Sequence, residues 1–423
     1  MSTFEAAASA APAVAAVPAE KAARFGGEPR AFWQLLARGA VLLMFTLGLY
    51  RFWLTTDVRR FLWSNTELAG DSFEYAGTAR ELLLGFVIAV AILVPLYTGF
   101  FLATLSLGAL TALSNVAALL GLTLLGQYAV YRARRYRLTR TVYRGVRFHQ
   151  TGSAWRYAVC ALLWWMLTAL TLGLAYPFAQ ARLERFKMAN TFFGNLPGRF
   201  AGSGLRLFLR GVSLWLVALG PFFAAVTATV LGLDWGAIAG STGGDDLLDR
   251  LEASGIERAV IYAVLGGIWL LVALAFLYPC FQAMVLRWWA SGLRFGSICV
   301  SSRLRTGQVL GLYARFLGCA FLFTLLAAAV VALGAFVIDK AVGEFDSIFK
   351  EIVATGAIVI AYVGCALGYS TIYRATVRLG LWRCLVESLE VSDLAVLEAV
   401  SAAGEAASPV GEGLADALSV GGA

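Results

Sequence analysis

The chain has 423 residues, of which 60% are hydrophobic and only 14% charged, and its net charge is +8. That balance excludes an ordinary soluble domain and points to a protein that passes through a membrane several times.

Residues 1–23 are rich in Ala and Pro and are expected to be a disordered tail. Glu5 stands where a signal peptide needs positive charge, and no apolar run follows it. Eight apolar stretches come next, at 32–54, 82–104, 108–130, 157–179, 206–232, 259–283, 309–338 and 352–373. Each is close to the ~20 residues that span about 30 Å of hydrocarbon. Several are apolar on every side, which a soluble core helix is not.

Between the first two stretches lies RRFLWSNTELAGDSFEYAG, residues 59–77. Its arginines and aromatics suit a helix end at a membrane surface. Gly70-Asp71 signals a turn, and Phe73 and Tyr75 alternate with polar residues at the period of a half-buried strand. A short hairpin or an extended loop is expected. RRYRLTRTVYRGVRFHQTG (134–152) matches it at an offset of 75 residues, and 185–202 matches it at 125, with Arg60-Phe61 answering to Arg185-Phe186. A weaker echo runs through 276–296, where Arg287 takes the place of Arg185. FTLGLYRFW (45–53) answers to LTLGLAYPF (170–178), and Pro95 has a counterpart, one residue out of step, in Pro221.

The expected fold is therefore an all-α polytopic membrane protein. It has six to eight membrane helices from internal repeats, with short cytoplasmic β-hairpin-like motifs. The repeats divide the chain into 24–130, 131–285 and a degenerate 286–390. The segment 391–423 is Ala/Gly/Ser-rich with only acidic charge, and is expected to be a disordered tail.

Charge sets the expected orientation. Tyr131 to Arg156 holds eight arginines and no acid, which places it in the cytoplasm. The stretch 286–308, with Arg287, Arg294, Arg303 and Arg305, and the C-terminus, with Arg374, Arg378 and Arg383, belong there too. The acidic stretches 233–257 and 339–347 belong outside. One conflict follows. Stretches 32–54 and 157–179 have basic flanks on both sides, so either each enters the membrane and returns or one flank breaks the charge rule. Each contains TLGL, whose glycine can permit a bend.

Taken together, FGG (25–27), TLGLYRFW (46–53), RRFLWSNTELAGDSFEYAG and RTVYRGVRFHQTGSAWRYA (140–158) resemble the YjgN-like bacterial inner-membrane proteins, a domain-of-unknown-function family. The resemblance covers roughly 24–385. It implies a multispanning cytoplasmic-membrane protein and brings no functional residue with it.

No chemical motif stands out. The six cysteines form no CxxC, and His149, the single histidine, has no patterned metal-ligating partner. Walker, GxGxxG, HExxH and GxSxG patterns are missing. No catalytic residue, cofactor or metal is expected, and no nucleic-acid partner. Two function classes stand. One is transport or permeation of a small solute, with a pathway at the proline-bearing helices of Pro95 and Pro221. The other is a non-catalytic scaffold binding anionic lipid head groups or a partner through Arg60, Arg135, Arg144, Arg185 and Arg287.

Overall fold

In the computed structural model the described residues are 23–106, 111–233, 235, 255–342, 347–403 and 416. The expected disorder of residues 1–22 lies outside them, as do most of the acidic stretch 233–257 and its counterpart at 343–346.

Helices dominate, but they hang from a sheet. Ten short strands join into one antiparallel meander in sequence order. They are β1 (Ala23–Phe25), β2 (Thr66–Leu68), β3 (Asp71–Tyr75), β4 (Thr141–Tyr143), β5 (Val146–Gln150), β6 (Thr191–Phe193), β7 (Leu196–Phe200), β8 (Leu293–Phe295), β9 (Ile298–Ser302) and β10 (Leu389–Ser392). The all-α expectation is corrected to that extent. The three polar motifs lie side by side in this sheet.

The strands are linked alternately by two-residue turns and by pairs of helices. Arg144-Gly145 shows why the turns are tight. Both residues have positive φ, 49° and 75°, the twist that suits a two-residue hairpin. The helix pairs are α1 (Pro29–Phe45) with α2 (Arg51–Ser64), α3 (Ala79–Ser106) with α4 (Thr111–Thr139), and α5 (Ala154–Leu170) with α6 (Tyr176–Ala189). They continue with α7 (Gly204–Gly232) and α8 (Ile256–Gly292), then α9 (Thr306–Val342) and α10 (Ser347–Tyr373). A π-helical turn (Arg374–Arg378) joins α10 to α11 (Leu379–Glu387).

Five βααβ units result, and their register recurs. Phe25 pairs with Thr66, Tyr75 with Thr141, Gln150 with Thr191, Phe200 with Leu293 and Ser302 with Leu389. One backbone bond closes each unit at the same place. The amides of Gly26, Ala76, Thr151, Ala201 and Arg303 donate to the carbonyls of Asn65, Arg140, Asn190, Gly292 and Ser388, at 2.8–3.0 Å. Thr78, Ser153 and Ser203 accept from backbone amides three residues on, capping three of the outgoing helices. After β3, Gly77 lies against the Tyr75 ring, where an added Cβ would stand 2.6 Å from it and force that ring to shift.

The first and last units touch. β10 lies against β1, α1 packs on α10, and α11 packs on β1. Ala23, Phe25, Phe32, Leu36, Leu54, Leu379 and Val386 form one core across that junction. The sheet therefore curls into a ring, which shortens the exposed edge that an open sheet would present. The disorder expected from 391 does not hold for its first residues, because β10 runs to Ser392 and a 3-10 turn covers Leu394–Ala399; most of 404–423 lies outside the described residues.

Six helices among the described residues are long and apolar enough to cross a membrane: Ala79–Leu102, Ser114–Thr139, Gly204–Gly232, Ile256–Gly292, Thr306–Lys340 and Ile348–Glu387. They come from the second, fourth and fifth units. The other two stretches, 32–54 and 157–179, each break into two shorter helices that leave the sheet and return to it. The bend has a local cause. In the first, Leu47 and Gly48 have φ of 49° and 89°; in the second, Leu172 and Gly173 have 50° and 93°. Thr46 and Thr171 brace the bends alike. Each donates to a carbonyl four residues back, and its oxygen accepts from an amide four residues on. At the tips Phe45, Leu47, Leu170 and Leu172 are apolar and exposed, as insertion into lipid requires.

Candidate functional site

Ring geometry organises the charged residues. Arg60, Arg135, Arg185 and Arg287 each lie six residues before a strand that opens a hairpin. There Arg60 donates to the Gly77 carbonyl and Arg185 to the Gly202 carbonyl, both at 3.1 Å. Arg287 donates to Thr306 Oγ1 at 3.2 Å. These arginines tie the end of one unit to the start of the next helix. Arg144 sits elsewhere, in a hairpin turn, paired with Asp71 at 2.5 Å. That exposed bond raises the pKa of Arg144.

Pro95 is exposed on α3, which packs on α2 and α4, and Pro221 is exposed on α7, which packs chiefly on α8 and α6. His149 stacks on Phe192 with ring centroids 5.1 Å apart, and burial lowers its pKa. Its Nδ1 is buried without a hydrogen-bond partner among the described residues. No group of three or more His, Cys, Asp or Glu capable of holding a metal occurs among the described residues.

Inside the ring is an apolar cavity of about 190 Å³. The strand-paired residues Phe73 and Tyr143, and Phe148 and Phe193, line it with Phe295 and Val391. The rings form a chain, with Phe73–Tyr143 and Phe148–Phe193 centroids 4.7 and 4.6 Å apart. Such a lining has few polar atoms to hold water.

A layer of buried charge lies where the helices join the sheet. Arg59 on α2 is 4% exposed and donates to Tyr75 Oη at 2.9 Å. Its guanidinium grips the Asp416 carboxylate through Nη1 and Nη2, at 2.5 and 3.0 Å. Arg137 Nε is 3.5 Å from the same carboxylate. Burial opposes charge on Arg59, but Asp416 and Tyr75 outweigh it and hold the net shift upward. Glu184 on α6 pairs with Lys187 and accepts from Trp289 Nε1 at 3.2 Å, which links α6 to α8. Burial lowers the Lys187 pKa, against the pull of Glu184. Arg134 lies within electrostatic reach of Glu184 and Arg137.

A second crevice, of about 450 Å³, opens between α7, α8 and the start of α9. Arg210, Ser213, Leu214, Cys280, Met284, Arg287 and Thr306 line it. Arg210 lies six residues into α7, roughly 9 Å along the helix from its sheet end. The crevice thus sits between the polar sheet and the exposed apolar flanks of Leu209, Leu216 and Leu317. Two cations, two hydroxyls and an apolar exit make a surface suited to a head group with its chains in lipid.

Sequence reasoning singled out Arg287 but not Arg210, Arg59 or Asp416. Arg210 is one of several arginines early in an apolar stretch, where the terminus of a helix is the ordinary explanation. Asp416 belongs to an Ala/Gly-rich segment that carries no periodic signal.

The chain matches over residues 20–417 the model of a family described as a bacterial protein of unknown function, DUF898, and it belongs to that family, the YjgN-like one. No curated protein and no solved structure matches it.

Proposed function

We propose that this multi-pass bacterial membrane protein is a non-catalytic inner-membrane scaffold that holds anionic lipid head groups at the cytoplasmic surface. The sheet ring is the cytoplasmic cap, and the helix pairs are its five legs, three crossing the bilayer and two re-entering. This orientation rests on the arginine excess of 131–156 and 286–308, and puts the C-terminus inside. The recurrent strand register supports five internal repeats in place of the three units bounded at 130 and 285.

The observation that carries the lipid reading is the crevice containing Arg210 and Arg287. Transport of a small solute finds less support. A pathway at Pro95 and Pro221 needs their helices to face each other, and the two pack on different partners.

Arg210→Gln tests the reading while sparing the bond from Arg287 to Thr306. Protein purified in neutral detergent is mixed with phosphatidylglycerol or phosphatidylcholine, and retained lipid is counted. The wild type should retain phosphatidylglycerol selectively, and the variant should lose most of that selectivity. Equal selectivity in both proteins would remove the crevice from the account.

A further inference from the structure

The cavity inside the ring lies toward the hairpin turns, away from the helices. Tyr143, Phe193 and Phe295 line it, and each ends a strand directly before a two-residue turn. Phe73 and Phe148, their partners across two strand pairs, line it too. Buried charge, including the bond from Arg59 to Tyr75, lies at the other end of the ring, where the helices join. An acyl chain entering from the bilayer would have to part that layer, at the cost of disturbing buried ions.

Space and lining both favour a guest that is apolar and small. Packed interiors hold few voids larger than a water molecule. A buried water needs two to four polar partners, and the wall of this cavity presents almost no polar surface. Its volume of about 190 Å³ exceeds that of an apolar cavity of ~150 Å³, which stays dry and admits benzene. The rings of the wall are tilted and edge-on to one another, as Phe148 and Phe295 are at 73° and 6.1 Å. They offer the faces and edges that an aromatic guest packs against.

A strap covers the turn end. Asp393 turns the chain at a φ of 62° straight after β10, and the 3-10 turn Leu394–Ala399 follows. Leu397 of that turn lines the cavity. Glu398 lies within electrostatic reach of Arg144, in the turn between β4 and β5. In the closed ring, β5 is five strands from β10 in either direction. The Ser401 amide donates to Asn195 Oδ1 at 3.3 Å, in the turn between β6 and β7. A Cβ on Gly194 would collide with the Ser401 carbonyl oxygen, so the strap lies directly on that turn. It thus runs from one side of the ring to the other, over the cavity, and one exposed hydrogen bond and one exposed attraction hold its far end.

We propose that the ring encloses a binding site for a small apolar molecule the size of a single aromatic ring, and that the Leu394–Ala399 strap is its lid. This does not rest on the lipid crevice, which shares none of these residues.

Full-length protein in detergent micelles is titrated with fluorobenzene and followed by fluorine NMR. The wild type should show a bound resonance that saturates and is displaced by benzene, apart from the micellar signal, which does not saturate. Val300 on β9 lines the cavity. Val300→Phe puts a ring into the space and should abolish the bound resonance. Val300→Met enters the same space with a flexible chain, should weaken binding several-fold, and decides the matter if the Phe variant does not fold. Leu397→Ala should keep the bound resonance and speed its exchange with free probe. Decanoate, standing for a lipid chain, should not displace the probe. No saturable resonance in the wild type, or one unchanged in the Val300 variants, would overturn the site. Displacement by decanoate at lower concentration than benzene would overturn it in favour of an acyl chain. Unchanged exchange in Leu397→Ala would overturn the lid.

Discussion

The indole of Trp382 donates a hydrogen bond to Thr66 Oγ1 at 2.9 Å, across 316 residues of chain. Its ring also stacks on Trp63, centroid to centroid at 5.2 Å. Together they fasten the last unit to the first, where no two-residue turn joins the strands. At the other junctions a covalent hairpin does that work.

Trp382→Ala should therefore weaken the whole ring. Removing a large, half-buried aromatic is expected to cost roughly 2–3 kcal/mol. Trp382→Phe keeps a ring for stacking and loses the hydrogen bond, at a cost of about 1 kcal/mol. Thermal unfolding in detergent should rank wild type, Phe and Ala in that order. Equal midpoints for Ala and wild type would mean that the ring is not held here.

The arginines that donate to the carbonyls of Gly77 and Gly202 make a second expectation. Arg60→Gln and Arg185→Gln should each lower the unfolding midpoint, by the ~1–3 kcal/mol of a lost charge-assisted bond. Neither should change phosphatidylglycerol retention, because neither residue lines the crevice. A variant that keeps its midpoint and loses lipid would reverse the assignment from structural tie to lipid contact.

Orientation can be read with single cysteines in a cysteine-free background and a membrane-impermeant thiol reagent. Thr151→Cys should resist labelling from outside and react once the membrane is opened. Ser241→Cys, in the acidic stretch, should react from outside. Leu47→Cys, at the first re-entrant tip, should stay unreactive in both settings. Labelling of Leu47→Cys from outside would make the first leg a crossing one.

Acid should destabilise the sheet through His149. Burial depresses its folded-state pKa, so the unfolded chain binds the proton more readily. Stability from this group is then full above the unfolded value of about 6.5 and falls as the pH drops from there toward the folded pKa. The unfolding midpoint should fall between about pH 7 and about pH 5. His149→Gln should flatten part of that fall, and an identical pH profile would rule His149 out as its source.

Much of this fold is legible locally. The TLGL pairs announced a bend because a threonine and a glycine within two residues brace and permit it. The first turn was visible from its glycine but one residue late: the sequence signal was Gly70-Asp71, and the turn is Ala69-Gly70. The junction that closes the ring was not visible, because the strands that meet there, β10 and β1, lie at opposite ends of the chain. One trace of it existed: RFGG at 24–27 matches RFAG at 199–202, which ends β7 and opens the next leg. The charge layer was hidden for a different reason. Arg59, Arg134 and Glu184 occupy matching places in successive units yet differ in sign, so similarity of sequence masks their electrostatic roles.

The unequal legs have a consequence for the surrounding lipid. The 17 residues of α1 reach only about 25 Å, short of the ~30 Å hydrocarbon depth, and α5 has the same length. In the proposed re-entrant arrangement, acyl chains beyond each tip have no helix beside them and splay or stretch inward to fill the space, at a cost of fractions of a kcal/mol per Å. Both short legs belong to the first half of the ring, on either side of the long pair α3–α4. On the proposed re-entrant arrangement, each short leg dents the distal leaflet, and the full-length pair α3–α4 stands between the two dents.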